Sequence, residues 1–226
     1  MVDYSVMVEL SGIVRNDVET FFKEHHSEVL YNERDFQMHL AMYLREVGHY
    51  DDVDLEYYVP NSLLDGYKDL WDSELRLDLL VRKGREYCPV ELKYKTKKIE
   101  TSLKRFGEQV DNVIVVKNQG AQDLGMYDFW KDVKRVEMVK EKFSSVKSGL
   151  SVFLTNDVAY MKPSRTTSNN REFCMCEGLN SRSKHWQRET SITHARKGFD
   201  LSNEYYIKWS EAKFGGYTFH YCIVEI

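Results

Sequence analysis

The chain has 226 residues, 42% of them hydrophobic and 13% aromatic, enough to bury a full core as one domain or as one domain with an elaboration. Its formal charge of −4 at pH 7 excludes a global basic field, so nucleic-acid contact has to come from local clusters of lysine and arginine. No run of about 18 apolar residues offers a membrane span; no apolar leader opens the chain, and Cys88, Cys174, Cys176 and Cys222 read as reduced thiols in a cytoplasm.

In chain order, apolar residues recur at helical spacing between Asn16 and Arg45 (Val18, Phe21, Phe22, then Leu30, Phe36, Leu40, Leu44), which predicts two helices. The second starts near Asn32, a good cap, with Glu33 and Asp35 in the first turn, where the helix dipole favours carboxylates; Gly48 stops it. Val53 to Val59 reads as a strand ending at Pro60, and residues 61–74 as a loop. Leu75–Val81 and Tyr87–Lys95 form a hairpin, with Pro89 early in its second strand, where a missing donor is tolerated. Between 96 and 120 only "VIVV" at 113–116 suggests a strand. A long helix follows from Ala121 to Lys147, ended by Gly149. Its buried stripe is Phe129, Val133, Val136, Val139, Phe143 and Val146, while Lys131, Asp132, Lys134, Arg135 and Glu137 fall off it, and Lys131, Lys134 and Arg135 read as a solvated face. "LSVFL" is the next strand, and the alternating "YTFHYCIVEI" is a strand returning to the sheet. The polar, Arg-rich stretch 162–198 between them suits either a loop that closes over nucleic acid or a surface insertion.

The hairpin carries charges among its apolar residues. Alternation puts Leu77, Leu79 and Val81 on one face and Arg76, Asp78 and Leu80 on the other; Glu91, Lys93 and Lys95 share a face of the second strand. With a loop over Lys83–Glu86, Asp78 falls directly across from Glu91, with Cβ atoms roughly 4.5–5.5 Å apart. Two opposed carboxylates repel unless something positive sits between them, and carboxylate oxygens suit Mg²⁺. Lys93, on the same face, is placed to act on the attacking water or on charge developing at a phosphate. A Glu-x-Lys triplet alone says little, since Glu211-Ala212-Lys213 and Asp132-Val133-Lys134 are further acid-x-lysine triplets. Context separates Glu91-Leu92-Lys93 from them: an apolar strand, a matching Asp and an upstream helix with a Glu.

That series (Glu33 on a helix, Asp78 in "LDLLV", Glu91 and Lys93 in "VELKYK", then a helix and a strand) resembles the PD-(D/E)XK nuclease superfamily over roughly residues 28–157. The resemblance implies an α/β, restriction-endonuclease-like core, a central mixed β-sheet flanked by α-helices, with residues 158–226 as a C-terminal elaboration of a single 1–226 domain. It implies a Mg²⁺- (or Mn²⁺-) dependent nuclease acting on nucleic acid, with DNA the expected substrate. Asp78, Glu91 and the Leu92 carbonyl would be metal ligands, Glu33 would orient the metal or its water, and Lys93 would be the catalytic lysine. Lys93→Ala is then expected to abolish cleavage and leave folding intact. Two departures stand out: Leu77 replaces the eponymous Pro, and Gln122 and Tyr127 are one residue too far apart for the Gln-x-x-x-Tyr element of RecB-like members.

Around this centre, Gln37 and Glu56 compete with Glu33 for a supporting role. Lys95, Lys97 and Lys98 form a basic run where a phosphate backbone would pass, and Lys131, Lys134 and Arg135 are further nucleic-acid candidates. Cys174, Cys176, His185 and His194 match no compact zinc spacing, and His25-His26 reads as surface. Two other readings compete with the nuclease: a nucleic-acid- or partner-binding module on the same fold, and a glycosidase using Asp78 and Glu91 at the retaining separation of about 5–5.5 Å. Lys93 and the basic run speak against the glycosidase. The sequence leaves open DNA against RNA, and a homodimer.

Overall fold

The computed structural model of the protein describes residues 9–24 and 26–226; His25 lies outside the described residues. Helix α1 (Leu10–Lys23) buries Leu10, Val14, Val18, Phe21 and Phe22, one stripe at the helical period. Asn32 caps α2 (Glu33–Glu46) by accepting the Asp35 N–H at 2.9 Å, which fixes Glu33 and Asp35 in the first turn. Gly48, at φ +69°, turns the chain away from the helix. His26, read as surface, is half-buried instead, stacked on Phe214 with ring centroids 4.4 Å apart.

Strand β1 (Asp52–Val59) leads into a segment that is less of a loop than expected: a 3₁₀ turn and the short helix α3 (Tyr67–Leu70) bury Tyr67 and Trp71. Strands β2 (Leu75–Lys83) and β3 (Glu86–Lys95) form the hairpin. Its turn is the two residues Gly84-Arg85, shorter than the expected loop but in the same register. Residues 96–120 hold a second hairpin, β4 (Ile99–Arg105) and β5 (Glu108–Val116), which forms its own two-stranded sheet. Thus "VIVV" is a strand outside the main sheet. Helix α4 (Gln122–Lys142) ends five residues before the expected Lys147; Phe143 caps it in an extended conformation, and Phe143 and Val146 lie past it. Strand β6 (Leu150–Thr155) is buried throughout. The remainder comprises β7 (Gly178–Asn180), β8 (Ser183–Lys184), α5 (Ser191–His194), β9 (Phe199–Asp200), β10 (Tyr205–Ile207), β11 (Ser210–Phe214) and β12 (Tyr217–Glu225).

The six-stranded sheet runs in the order β1-β2-β3-β6-β12-β11, antiparallel except for β3 and β6. Only that parallel pair needs a crossover, and α4 supplies it. The C-terminal strand lies beside β6, so the tail is part of the main sheet. Helices α1 and α2 pack on one face over Leu79, Val81, Val90, Leu92 and Tyr94; α3 and α4 pack on the other over Leu75, Leu77, Leu80 and Phe153. Leu77 therefore belongs with Leu80, against strict alternation, because β2 changes face at Asp78. The polar 162–198 stretch packs against α4 rather than hanging free: Trp130 Nε1 donates to the Phe173 carbonyl at 3.1 Å, and Lys184 is fully buried over the Trp130 ring. Among the described residues, no helix is long and apolar enough to cross a membrane.

Candidate active site

The site forms where β2 and β3 part. Their recorded pairing runs from Lys83–Glu86 to Leu79–Val90 and stops one step short of Asp78 and Glu91. Beyond that point, the β3 N–H groups of Leu92 and Tyr94 go to carboxylates. Asp78 Oδ2 accepts from Leu92 N at 2.6 Å, and Glu33 Oε2, carried by the first turn of α2, accepts from Tyr94 N at 2.8 Å. Strand β1 opens at the same level. Glu56 sits at φ +52° and drops out of the ladder between Leu55–Leu79 and Tyr57–Leu77. Gln37, one turn into α2, donates its amide both to the Asp78 carbonyl at 2.7 Å and to Glu56 Oε1 at 3.0 Å. Both supporting candidates are thus present, Gln37 holding the Asp78 main chain and Glu56 holding Gln37.

The Glu91 and Lys93 side chains face α4. Glu91 is only 2% exposed, and its Oε1 has no hydrogen-bond partner. Lys93 Nζ donates to the Leu92 carbonyl at 3.2 Å and lies 2.8 Å from Oδ2 of Asp132, itself 1% exposed. That contact is close but poorly aligned: it is a charge pair, and Asp132 Oδ2 gains no directional hydrogen bond from it. Arg135 Nη1 stands 3.4 Å from the other Asp132 oxygen.

The charges shift one another accordingly. Burial pushes the Asp78 carboxyl up to about 6, with Asp132 and Glu33 adding to the rise, while Lys93 and the Leu92 N–H pull it down. Burial, then Asp132 and Asp78, hold Glu91 well above the usual carboxylate range. For Lys93, burial alone would lower the pKa, but Asp132, Glu33, Asp78 and Glu91 outweigh it and fix the ammonium as a cation. Four carboxylates thus surround one lysine, with Arg135 behind. The arrangement has room in its charge balance for a further cation. Among the described residues, no three His, Cys, Asp or Glu side chains converge as a ready-made metal cage; the hairpin presents two carboxylates and a main-chain carbonyl.

Asp132 is the residue that the sequence reading missed. It falls off the apolar stripe that marks the buried side of the helix, yet it is buried, as is Glu137. Periodicity carried no signal for it, because an acid beside an apolar stripe is normally exposed. The basic residues of α4 are half-buried rather than solvated. Arg135 points inward, with its guanidinium carbon 5.9 Å from the Tyr67 and Trp71 ring centroids; Lys134 pairs with Glu137 at 3.2 Å; Lys131 lies over Trp71, its pKa lowered to about 8 by burial and by Arg135. In the basic run, Lys95 lies 3.9 Å from Asp128, Lys97 3.0 Å from Asp157 and Lys98 2.9 Å from Glu100. Lys97 and Lys98 remain about half exposed, at 52% and 54%. If the run tracks phosphates, Lys97→Ala or Lys98→Ala should each lower the salt dependence of nucleic-acid binding by roughly one unit of log–log slope, while Lys134→Ala leaves it unchanged. Binding titrations over a salt series measure this, and an unaltered slope for both surface lysines removes the run from the interface.

Gln122 and Tyr127 take structural contacts instead: Gln122 Nε2 donates to Asp157 at 3.0 Å, and the Tyr127 hydroxyl accepts from Trp71 Nε1 and donates to the Lys197 carbonyl. The concavity between β1, β2 and α4, of about 360 Å³, is lined by Tyr57, Leu63, Leu77, Leu80 and Phe143 and does not reach Asp78, Glu91 or Lys93. No family model, curated protein or solved structure matches the chain.

Proposed function

We propose that this chain is a metal-dependent nuclease that hydrolyses phosphodiester bonds in DNA, with Mg²⁺ or Mn²⁺ as its cofactor, on a restriction-endonuclease-like core. The order α2, β1, β2, β3, α4, β6, with β3 and β6 parallel, supports that core. The observation that carries the reading is the pair of acids Asp78 and Glu91, both held above the ordinary carboxylate range, beside one lysine at the point where two strands part. Such a pair is costly to bury, and buried groups of this kind cluster at functional sites.

The donors present fit a hard cation. Glu91 Oε1 is buried without a partner, so a cation there would satisfy an atom that the fold leaves unsatisfied. Asp78, Glu91 and the Leu92 carbonyl would hold it, with Glu33 in support. When bound, a divalent ion polarises a phosphoryl oxygen and makes a water more acidic. The chain's own groups supply the rest. Lys93, kept protonated by its carboxylates, offers positive charge to a phosphoryl oxygen as negative charge develops there. Asp132 anchors that ammonium to α4, and Gln37 and Glu33 keep the hairpin edges apart by satisfying the groups that would otherwise pair.

Purified protein with Mg²⁺ or Mn²⁺ should cleave DNA when assayed on linear, circular and single-stranded molecules, with RNA alongside. Glu91→Gln should reduce cleavage to background. Glu211→Ala and Lys213→Ala, in the other Glu-x-Lys triplet, should leave it unchanged. Activity that survives Glu91→Gln places the chemistry elsewhere, and wild type that binds but never cuts moves the binding-module reading ahead.

A further inference from the structure

The β4–β5 hairpin carries a side chain that the fold does not account for. Its turn is Phe106-Gly107, with φ of +52° and +87°. Two-residue turns with positive φ at both positions favour Asn-Gly or Asp-Gly, because a bulky side chain is strained there. The hairpin obeys that rule elsewhere: where its ladder slips near Thr101 and Leu103, the residue at positive φ is Asn112. At the tip, the strained position holds a phenylalanine that is fully exposed. Neither backbone preference nor packing recovers anything from that ring, so its use lies outside the folded chain.

The arm is pre-organised. Ile99 and Val116 are buried at its base, and Thr96 Oγ1 donates to the Lys117 carbonyl at 2.9 Å. Next to the tip, Arg105 Nη2 donates to the Tyr31 hydroxyl, with the guanidinium carbon 5.2 Å from that ring's centroid. Tyr31 lies two residues before Glu33, so the tip is tethered beside the start of α2, and the arm itself springs from the end of β3. Its charges narrow the choice of partner. Lys104 and Arg105 are outnumbered by Glu100, Glu108 and Asp111, which disfavours an anionic lipid surface and a purely electrostatic phosphate clamp. Val110 and Ile114 are exposed as well, at 41% and 52%, but they lie back along β5, so the tip itself offers one fully free aromatic ring rather than the broad apolar patch a protein partner needs. A single ring on a rigid ribbon, with a lysine beside it, matches the face of a nucleobase.

We infer that the β4–β5 hairpin is a nucleobase-stacking arm, with Phe106 as its stacking residue, and that it directs the enzyme to single-stranded or locally unpaired DNA; this rests on the nuclease reading of the site. The test uses the full chain in a Glu91→Gln background with Mg²⁺, so that DNA is bound and not cut. Fluorescence anisotropy reads the affinity for a labelled single strand and for a duplex with one unpaired nucleotide. Phe106→Asn should weaken both by roughly tenfold, the order expected for a lost stacking contact, while Phe106→Trp keeps them. Thermal melting should place Phe106→Asn at or above its parent, because asparagine relieves the turn. A parent that binds and an Asn variant that binds equally well overturn the inference and leave the nuclease reading standing. An Asn variant that melts lower also overturns it, since the ring would then belong to the fold. A parent that binds neither DNA removes the nuclease reading and the arm's role together.

Discussion

Lys93→Met should destabilise the protein by about 3–5 kcal/mol, the range seen when one partner of a buried ion pair is removed. The lysine is the nearest cation to Asp132, which is 2.8 Å away and 1% exposed, and it offsets Asp78, Glu91 and Glu33 as well. Methionine matches its stem but leaves those carboxylates to repel one another in a poorly solvated place. Urea denaturation should show a lower midpoint with an unchanged slope. Adding Asp132→Asn should recover a large part of the loss, and the double-mutant cycle isolates the coupling between the two residues. Mn²⁺ should stabilise Lys93→Met more than wild type, because the acids lack their resident cation. A variant as stable as wild type would show that Asp132 does not depend on Lys93. The hairpin alone would let Lys93 be removed with folding intact; its pairing with buried Asp132 does not, so Lys93→Ala should lose stability as well as activity.

Asp78→Asn should act in the opposite sense on stability while ending cleavage. The Asp78 carboxyl is raised from 3.8 to about 6. The folded state therefore holds its proton more tightly than the unfolded chain, and the stability this brings is present below about pH 4 and lost as pH rises through about 6. Above that pH, wild type carries a desolvated charge that asparagine does not. The shift converts to a gain of at most about 3 kcal/mol for the variant, and a share of that is expected, since the neutral amide also gives up the attraction of Lys93. Each kcal/mol amounts to about 2–4 °C in a chain of this size. Melting curves should thus show Asp78→Asn above wild type at pH 8, with the gap closing by pH 4. The asparagine carbonyl can still accept the Leu92 N–H, so hairpin geometry is kept. A gap that is absent at pH 8 would mean that Asp78 is not destabilised by its surroundings, and the argument for a cation at this site would lose its electrostatic basis.

Sequence alone determined the elements whose cause is local. The apolar stripes of α1 and α2, the Asn32 cap that places Glu33, and the turn residues of the Leu75–Lys95 hairpin are each written within a few residues of where they act. Even the register that brings Asp78 level with Glu91 follows from counting back from the turn. The sequence pattern carries α4 too far, because Phe143 and Val146 keep the helical period after the helix has stopped; the following segment packs on β3 instead, where the Tyr87 N–H donates to the Ser145 carbonyl.

Only the tertiary structure decided what the charges do. Asp132 meets Lys93 because the parallel β3–β6 pair forces a crossover, which lays α4 over the strand face carrying Glu91 and Lys93. No local pattern encodes that meeting, since the partners are separated by the second hairpin and nearly three turns of α4. Arg135 and Lys134 look solvated in a helical projection, yet Arg135 lies against Tyr67 of α3, and Lys134 pairs with Glu137, which also accepts from Ser202 and Tyr205 of the C-terminal elaboration. The positive φ of Glu56, the face change at Asp78 and the capture of the Leu92 and Tyr94 N–H groups by carboxylates all arise where three elements compete for the same hydrogen bonds. A sequence fixes which groups are available; which of them find water, a partner or neither is settled by the packing of segments far apart in the chain.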